Sequence, residues 1–222
     1  MFRVKKIFRY LLVIYFIISL PITVVFIKNE YIRFIFHEVL VEWYSKINNI
    51  DIVFIGDSNV AAGRSFSSYI DVGFFSTKNL GQNGNTLVQV KATLNKALSY
   101  NPQFVIVLAG TNDIFLSENG YNNKDLFKDE YSKLIVEILK GNSQPLITLI
   151  PYTSNLQINK HIDIFNSQIL NLVSENDIAY IDLNKFISSD GVLLKKYTTD
   201  GVHLNNKGLE LWGQEIQKAL KE

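Results

Sequence analysis

The chain has 222 residues, enough for one domain with a sizeable core and something small beside it. Its 22 Lys plus Arg balance 21 Asp plus Glu, so no overall field draws the protein toward nucleic acid or another polyanion. Cysteine is absent, which excludes disulfides, thiolate metal sites and cysteine nucleophiles together.

The first element in chain order is apolar. Arg3, Lys5, Lys6 and Arg9 precede YLLVIYFIISLPITVVFI, Tyr10 to Ile27, which holds no charge and only Ser19 and Thr23 as hydroxyls. With its flanks it is long enough to cross a hydrocarbon core of about 30 Å as a helix, and it shows no polar face that a buried soluble helix would turn to water. Pro21 kinks such a helix without excluding it. Basic residues on the N-terminal side keep that end in the cytoplasm, so Lys28 and everything after it is expected across the membrane. A cleaved signal peptide is the competing reading, but no small-x-small cleavage site precedes Lys28. The expected organisation is a basic cytoplasmic end and anchor over residues 1–28, a helical juxtamembrane linker over 29–49, and a folded domain over 50–222.

Within that domain, short apolar runs alternate with amphipathic segments. Strands are expected at Ile52 to Ile55, Thr77 to Leu80, FVIVLAG from Phe104, PLITLIP from Pro145 and IAYIDL from Ile178. Helices are expected from Leu87, Asp125 and Ile162, with a last one from about Asn205 to Leu220. Strands apolar on nearly every residue and separated by helices imply an α/β fold whose five-stranded parallel sheet is covered on both faces. Ligands of such sheets bind at the carboxyl ends of the strands. Polar clusters fall at those ends: Gly56-Asp57-Ser58, NLGQNGNT from Asn79, Gly110-Thr111-Asn112-Asp113, and Pro151-Tyr152-Thr153.

Each cluster alone is compatible with a turn or cap; Asp57 and Ser58 are ordinary helix-capping residues. Their combination carries chemistry. Of three histidines, His37 and His161 have no neighbouring motif, whereas His203 stands three residues after Asp200 in TTDGVHLNNKG. One short loop can then present both side chains, the carboxylate holding one ring N–H and the other nitrogen acting as base. A serine hydroxyl needs such a base to become a nucleophile, and acyl transfer needs fixed donors for the developing oxyanion. The backbone N–H groups of Ser58 and Gly84 and the side-chain amide of Asn112 are the candidates.

The blocks Gly56-Asp57-Ser58 with Gly63, Asn83-Gly84-Asn85-Thr86, Gly110-Thr111-Asn112-Asp113 and Asp200-Gly201-Val202-His203 resemble, in this order, those of the SGNH hydrolase superfamily, also called GDSL-type esterases and lipases. The resemblance spans Asp51 to about Gly208. It implies a flavodoxin-like three-layer α/β/α sandwich with Ser58 as nucleophile, His203 as base and Asp200 as its orienting partner. It also implies Ser58, Gly84 and Asn112 as oxyanion donors. Asn59 departs from the motif, which has Leu there.

The expected activity is a membrane-anchored, extracytoplasmic serine esterase. It would cut carboxylic esters, with O-acetyl groups of envelope carbohydrates or lipid esters as substrates, and would need no cofactor or metal. The alternative is an acyltransferase that passes an acetyl group to an envelope polysaccharide with a membrane partner supplying it; both need the same triad. A third reading, a phosphate-binding module using Gly81-x-x-Gly84, rests on a weak motif. The pocket is expected to be shaped by Val60 to Phe66, Ile114 to Asn122 and Tyr152 to Asn155.

Overall fold

The structure, a computed structural model, describes residues 50–63, 76–117 and 124–221. The expected anchor and juxtamembrane linker lie outside these residues, as do His37 and parts of the expected pocket rim, 64–66 and 118–122. Among the described residues no helix is long and apolar enough to cross a membrane.

Five parallel strands form the central sheet: β1 (Ile52–Gly56), β2 (Thr77–Asn79), β3 (Phe104–Leu108), β4 (Gln144–Thr148) and β5 (Tyr180–Ile181), in the order β2-β1-β3-β4-β5. All five expected strands are present. Ile52 pairs with both Thr77 and Phe104, and Gly56 pairs with Leu108, so β1 is flanked on both sides along its length. That central position explains IVFIG: every residue is buried, one alternating set under each layer of helices.

Among the described residues eight helices connect and cover the sheet: α1 (Ser58–Ala62), α2 (Leu87–Ala92), α3 (Leu94–Leu98), α4 (Thr111–Ser117), α5 (Lys124–Lys140), α6 (Leu156–Glu175), α7 (Asn184–Ile187) and α8 (Asn206–Ala219). Helices α2 and α3 pack on β1 and α5 on β4. On the opposite face Ile52, Phe54, Ile106, Leu108 and Leu146 meet Trp212 and Ile216 of α8, with Val60 of α1 in the same cluster. Trp212 is fully buried and its indole N–H donates to the Thr148 hydroxyl at 3.0 Å, satisfying the one polar atom that its burial would otherwise strand. The result is the expected three-layer sandwich.

Three local features differ from the sequence expectation. The helix from Leu87 is broken at Thr93, whose hydroxyl donates back to the Val90 carbonyl at 2.7 Å, a bond that bends helices. Helix α6 starts six residues before the apolar periodicity does, because the Asn155 side chain accepts from Gln157 N and Ile158 N and caps it there. After α7, β6 (Ser188–Ser189) and β7 (Val192–Leu193) form a small antiparallel hairpin through Asp190-Gly191, both at positive φ, 53° and 72°.

Candidate active site

The strand order reverses direction between β1 and β3, the place where this topology opens a crevice at the carboxyl ends of the strands. Ser58 stands at that edge as the first residue of α1. The carboxylate of Asp57 caps the helix, its Oδ1 accepting the Asn59 N–H at 2.9 Å. The capping role and the exposed hydroxyl are thus divided between adjacent residues: Asp57 is fully buried, while Ser58 is half-buried at the surface.

His203 and Asp200 lie on one tight turn after the short 3-10 helix Lys195–Tyr197. Asp200 Oδ1 accepts the backbone N–H groups of Val202 at 3.0 Å and His203 at 2.8 Å, and Asp200 Oδ2 accepts His203 Nδ1 at 2.7 Å. These bonds, the His203 backbone N–H foremost, hold the Asp200 carboxyl down to about 2, so it is a carboxylate throughout the neutral range. With the Nδ1 proton held there, His203 Nε2 is left to accept the Ser58 hydroxyl, 2.9 Å away. Residues 145 positions apart therefore form one hydrogen-bonded chain, Asp200 to His203 to Ser58.

The turn itself is built around Gly201. Its φ is 90° and a Cβ there would lie 2.2 Å from Ser154 Oγ, so only glycine fits. Gly201 O accepts Ser154 N at 2.7 Å, and the Thr198 hydroxyl donates to the His203 carbonyl at 2.7 Å, closing the turn on both sides.

The other sequence blocks converge on the same edge. Gly84, φ 77°, lies exposed in the turn after β2, with nothing within 4 Å of the place a Cβ would occupy. Asn112 is the second residue of α4, and its side-chain amide donates to the Asn85 carbonyl at 3.0 Å, tying the block after β3 to the glycine turn and leaving its second N–H for another acceptor. Asp113 completes the tie: it is buried, its Oδ2 accepts Leu87 N at 2.9 Å at the start of α2, and burial pushes its carboxyl up. Gly81 N–H is taken by Asn79 Oδ1 at 2.8 Å, and Asn79 Nδ2 donates to Val60 O at 2.7 Å. Gly81-x-x-Gly84 is therefore committed to holding the loop against α1 and is not an open phosphate cradle.

Asn59 is the residue that sequence reasoning passed over. It is 1% exposed, and its Oδ1 accepts the backbone N–H of Leu204 at 2.9 Å. The residue after the serine thus grips the residue after the histidine. The departure from Leu at this position was visible in the sequence; the partner 145 residues away was not. Conversely, Val60 and Ile114, expected to shape the pocket, are each 1% exposed and belong to the core, because α1 and α4 turn those faces onto the sheet. Tyr152 is also engaged within the fold, its hydroxyl bonded to Asp163 and its N–H donating to Asn184 Oδ1 at 2.7 Å. His161 sits exposed on α6, away from any of these blocks in the chain.

Residues 54–211 match the GDSL-like Lipase/Acylhydrolase family. Among solved structures, the fold is similar to a GDSL-like lipase from Bacteroides thetaiotaomicron, with 18% identity, TM-score 0.69 and coverage of 78% of this chain and 88% of that one. It is also similar to an acetyl xylan esterase, AlAXEase, with 23% identity, TM-score 0.66 and coverage of 77% and 100%. Among curated proteins, an N-acylneuraminate cytidylyltransferase of Streptococcus agalactiae serotype V is 27% identical over 185 residues, 82% of this chain and 42% of that protein. The chain thus spans less than half the length of the curated relatives it matches. The family match covers most of the chain and the fold agrees with it: the chain belongs to the GDSL-like lipase/acylhydrolase family of SGNH hydrolases.

Proposed function

We propose that the protein hydrolyses O-acyl esters of carbohydrates through an acyl-enzyme on Ser58, in a domain tethered outside the cytoplasm by the Tyr10 to Ile27 segment. The observation that carries the chemistry is the continuous chain from Asp200 through His203 to Ser58 Oγ, 2.7 Å and 2.9 Å long. His203 Nε2 takes the Ser58 proton as Oγ attacks the ester carbonyl, and Asp200 balances the imidazolium that forms. The oxyanion is received by the Ser58 and Gly84 N–H groups and the Asn112 amide. Collapse breaks the ester C–O bond, and His203 Nε2–H returns its proton to the leaving alkoxide. Water then repeats the sequence on the acyl-serine: His203 removes its proton, and Ser58 Oγ leaves with that proton as the free acid departs.

Hydrolysis is favoured over transfer to a second sugar by the openness of the dyad: the side chains of His203 and Asp200 are 43% and 53% exposed, so water reaches the acyl-serine freely. A carbohydrate substrate is supported by the curated relatives, whose name marks them as acting on N-acylneuraminate. The extracytoplasmic tether rests on the basic residues before Tyr10 and the uncharged stretch after it.

The test is labelling of the full-length protein with a fluorophosphonate probe, alongside acetate release from acetylated oligosaccharides. Labelling is expected in the wild type and absent in Ser58→Ala and His203→Ala. Persistent labelling of Ser58→Ala at another serine would refute the assignment. Alkaline carbonate extraction checks the tether, since release of full-length protein into the soluble fraction would contradict an integral anchor.

A further inference from the structure

A cleft of about 510 Å³ opens at the surface where neighbours of Ser58 on α1 and of His203 on its turn meet the start of α8; Ser58 and His203 do not themselves line it. Ala62 and Leu204 line it, and both belong to the site's own framework: Ala62 lies one turn beyond Ser58 on α1, and Leu204 follows His203. Its rim carries three lysines, Lys195 and Lys196 from the 3-10 turn and Lys207 from the first turn of α8. All three are exposed, and no carboxylate among the described residues pairs with them. Lys91, Lys133, Lys185 and Lys218, by contrast, each have an acidic partner within 4.0 Å. Lys196 lies 4.8 Å from the centroid of the Tyr197 ring, which steadies its stem without neutralising it. Of the acids nearby in the chain, Asp200 is committed to His203, and Glu210, three residues after Lys207 on α8, makes no ion pair with that lysine within 4.0 Å. In a chain whose net charge is +1, this rim is a local concentration of positive charge placed beside the catalytic turn.

The two lysine-bearing segments are fixed to each other before any ligand arrives. The Asn205 side chain donates to the carbonyls of Lys196 at 3.0 Å and Thr198 at 3.2 Å, and accepts the N–H groups of Lys207 at 3.0 Å and Gly208 at 3.2 Å. One amide thereby locks the 3-10 turn to the start of α8, so an anion entering the cleft meets cations whose backbones are already set.

We propose that this cleft is an anion subsite in which Lys195, Lys196 and Lys207 hold a carboxylate or phosphate of an anionic glycan while its ester reaches Ser58. This rests on the carbohydrate reading above and narrows it to acidic carbohydrates. A carboxylate sugar and a phosphate-bearing glycan share the chemistry that the three ammonium groups recognise.

The test uses the full-length protein in detergent and the triple variant Lys195→Gln/Lys196→Gln/Lys207→Gln. Binding of trigalacturonate, a glycerol phosphate trimer and neutral xylotriose, none of them esterified, is measured by calorimetry at low and high salt. At least one anionic oligomer is expected to bind on the order of tenfold more tightly than xylotriose. That preference should vanish in the triple variant and shrink at high salt, as screened exposed charges require. The stronger of the two anions identifies the source. Hydrolysis of p-nitrophenyl acetate should be retained by the variant, which shows that it is folded. Equal binding of all three oligomers, or a preference that survives the triple substitution, would overturn the proposal. So would lysine-dependent binding to phosphatidylglycerol vesicles with no affinity for the oligosaccharides. If anionic oligomers bind through the lysines yet acetylated oligosaccharides release no acetate, the carbohydrate-esterase reading fails and the anion subsite stands.

Discussion

Replacing Asn59 with leucine keeps the branching and the number of side-chain heavy atoms but removes the acceptor of the bond to Leu204. That bond is 2.9 Å long between buried groups, and its loss leaves the Leu204 N–H without a partner in the core. An orphaned buried donor costs about 1–3 kcal/mol. The loop can recover part of this by shifting outward to meet water, and His203, the adjacent residue, must move with it. Its Nε2 starts 2.9 Å from Ser58 Oγ, and a displacement of about 1 Å at a reacting pair costs on the order of 10² in rate. Asn59→Leu is therefore expected to lower kcat for p-nitrophenyl acetate by about 10- to 100-fold with KM within about twofold. Fluorophosphonate labelling should slow in parallel. The midpoint of thermal unfolding should fall by about 2–4 °C for each kcal/mol lost. A variant that melts earlier but keeps wild-type kcat would show the bond to be structural only and refute the positioning argument.

Asp57 gives a pH signature in stability. Burial pushes its carboxyl from an ordinary 3.8 up to about 6, outweighing the pull of the Asn59 N–H and the Thr111 hydroxyl. The folded protein thus holds a proton that the unfolded chain releases, so stability falls as pH rises from about 4 to about 6, by about 3 kcal/mol in all. Asp57→Asn keeps an oxygen for the cap and should flatten that decline in denaturant unfolding measured from pH 4 to 7; an unchanged slope would contradict it. Asp200→Asn should leave the fold intact and lower kcat by on the order of 10²–10⁴, because an amide no longer fixes the His203 tautomer. Since the Asp200 carboxyl lies near 2, the acid limb of wild-type activity should not follow Asp200. Its depressed value also means that its contribution to stability is present above pH 4 and fades only as pH drops toward 2. Gly201→Ala, at φ 90° and against Ser154 Oγ, should destabilise by about 1–3 kcal/mol and slow hydrolysis; a neutral effect on both would show that the turn tolerates a side chain.

Much of this molecule is written in short-range patterns. The strands are legible because a central parallel strand must be apolar on both faces, as IVFIG and FVIVL are. Ser58, Gly84, Asn112, Asp200 and His203 are legible because each follows a strand or begins a turn in a recognisable block. The start of α6 was hidden because its first turn, Leu156 to Asn159, is set by the Asn155 cap, and Leu156 itself is 53% exposed. The β6–β7 hairpin did carry its signal, Asp190-Gly191 between short runs, but two-residue strands give no alternation to read. Asn59 and Asp113 were illegible for a different reason. Each is a buried polar residue whose role is its partner, Leu204 N or Leu87 N, and a partner 145 or 26 residues away leaves no trace in local sequence. The lysine rim was equally diffuse, since its members sit on both sides of the catalytic turn within a chain of balanced charge.

The proposed base and its orienting acid occupy a single turn three residues apart, while the proposed nucleophile belongs to the first strand–helix unit of the domain. During folding, the Asp200–His203 pair can assemble locally, but the enzyme becomes competent only when that turn docks across the sheet. Docking relies on a few long-range clasps, among them Trp212 on Thr148 and Leu204 on Asn59. A partly unfolded species with an intact sheet and a detached α8 would still look native in its strands yet be catalytically silent. Under mild denaturant, inactivation should run ahead of the loss of sheet structure, so turnover serves as a sensitive gauge of how firmly the far end of the domain is latched.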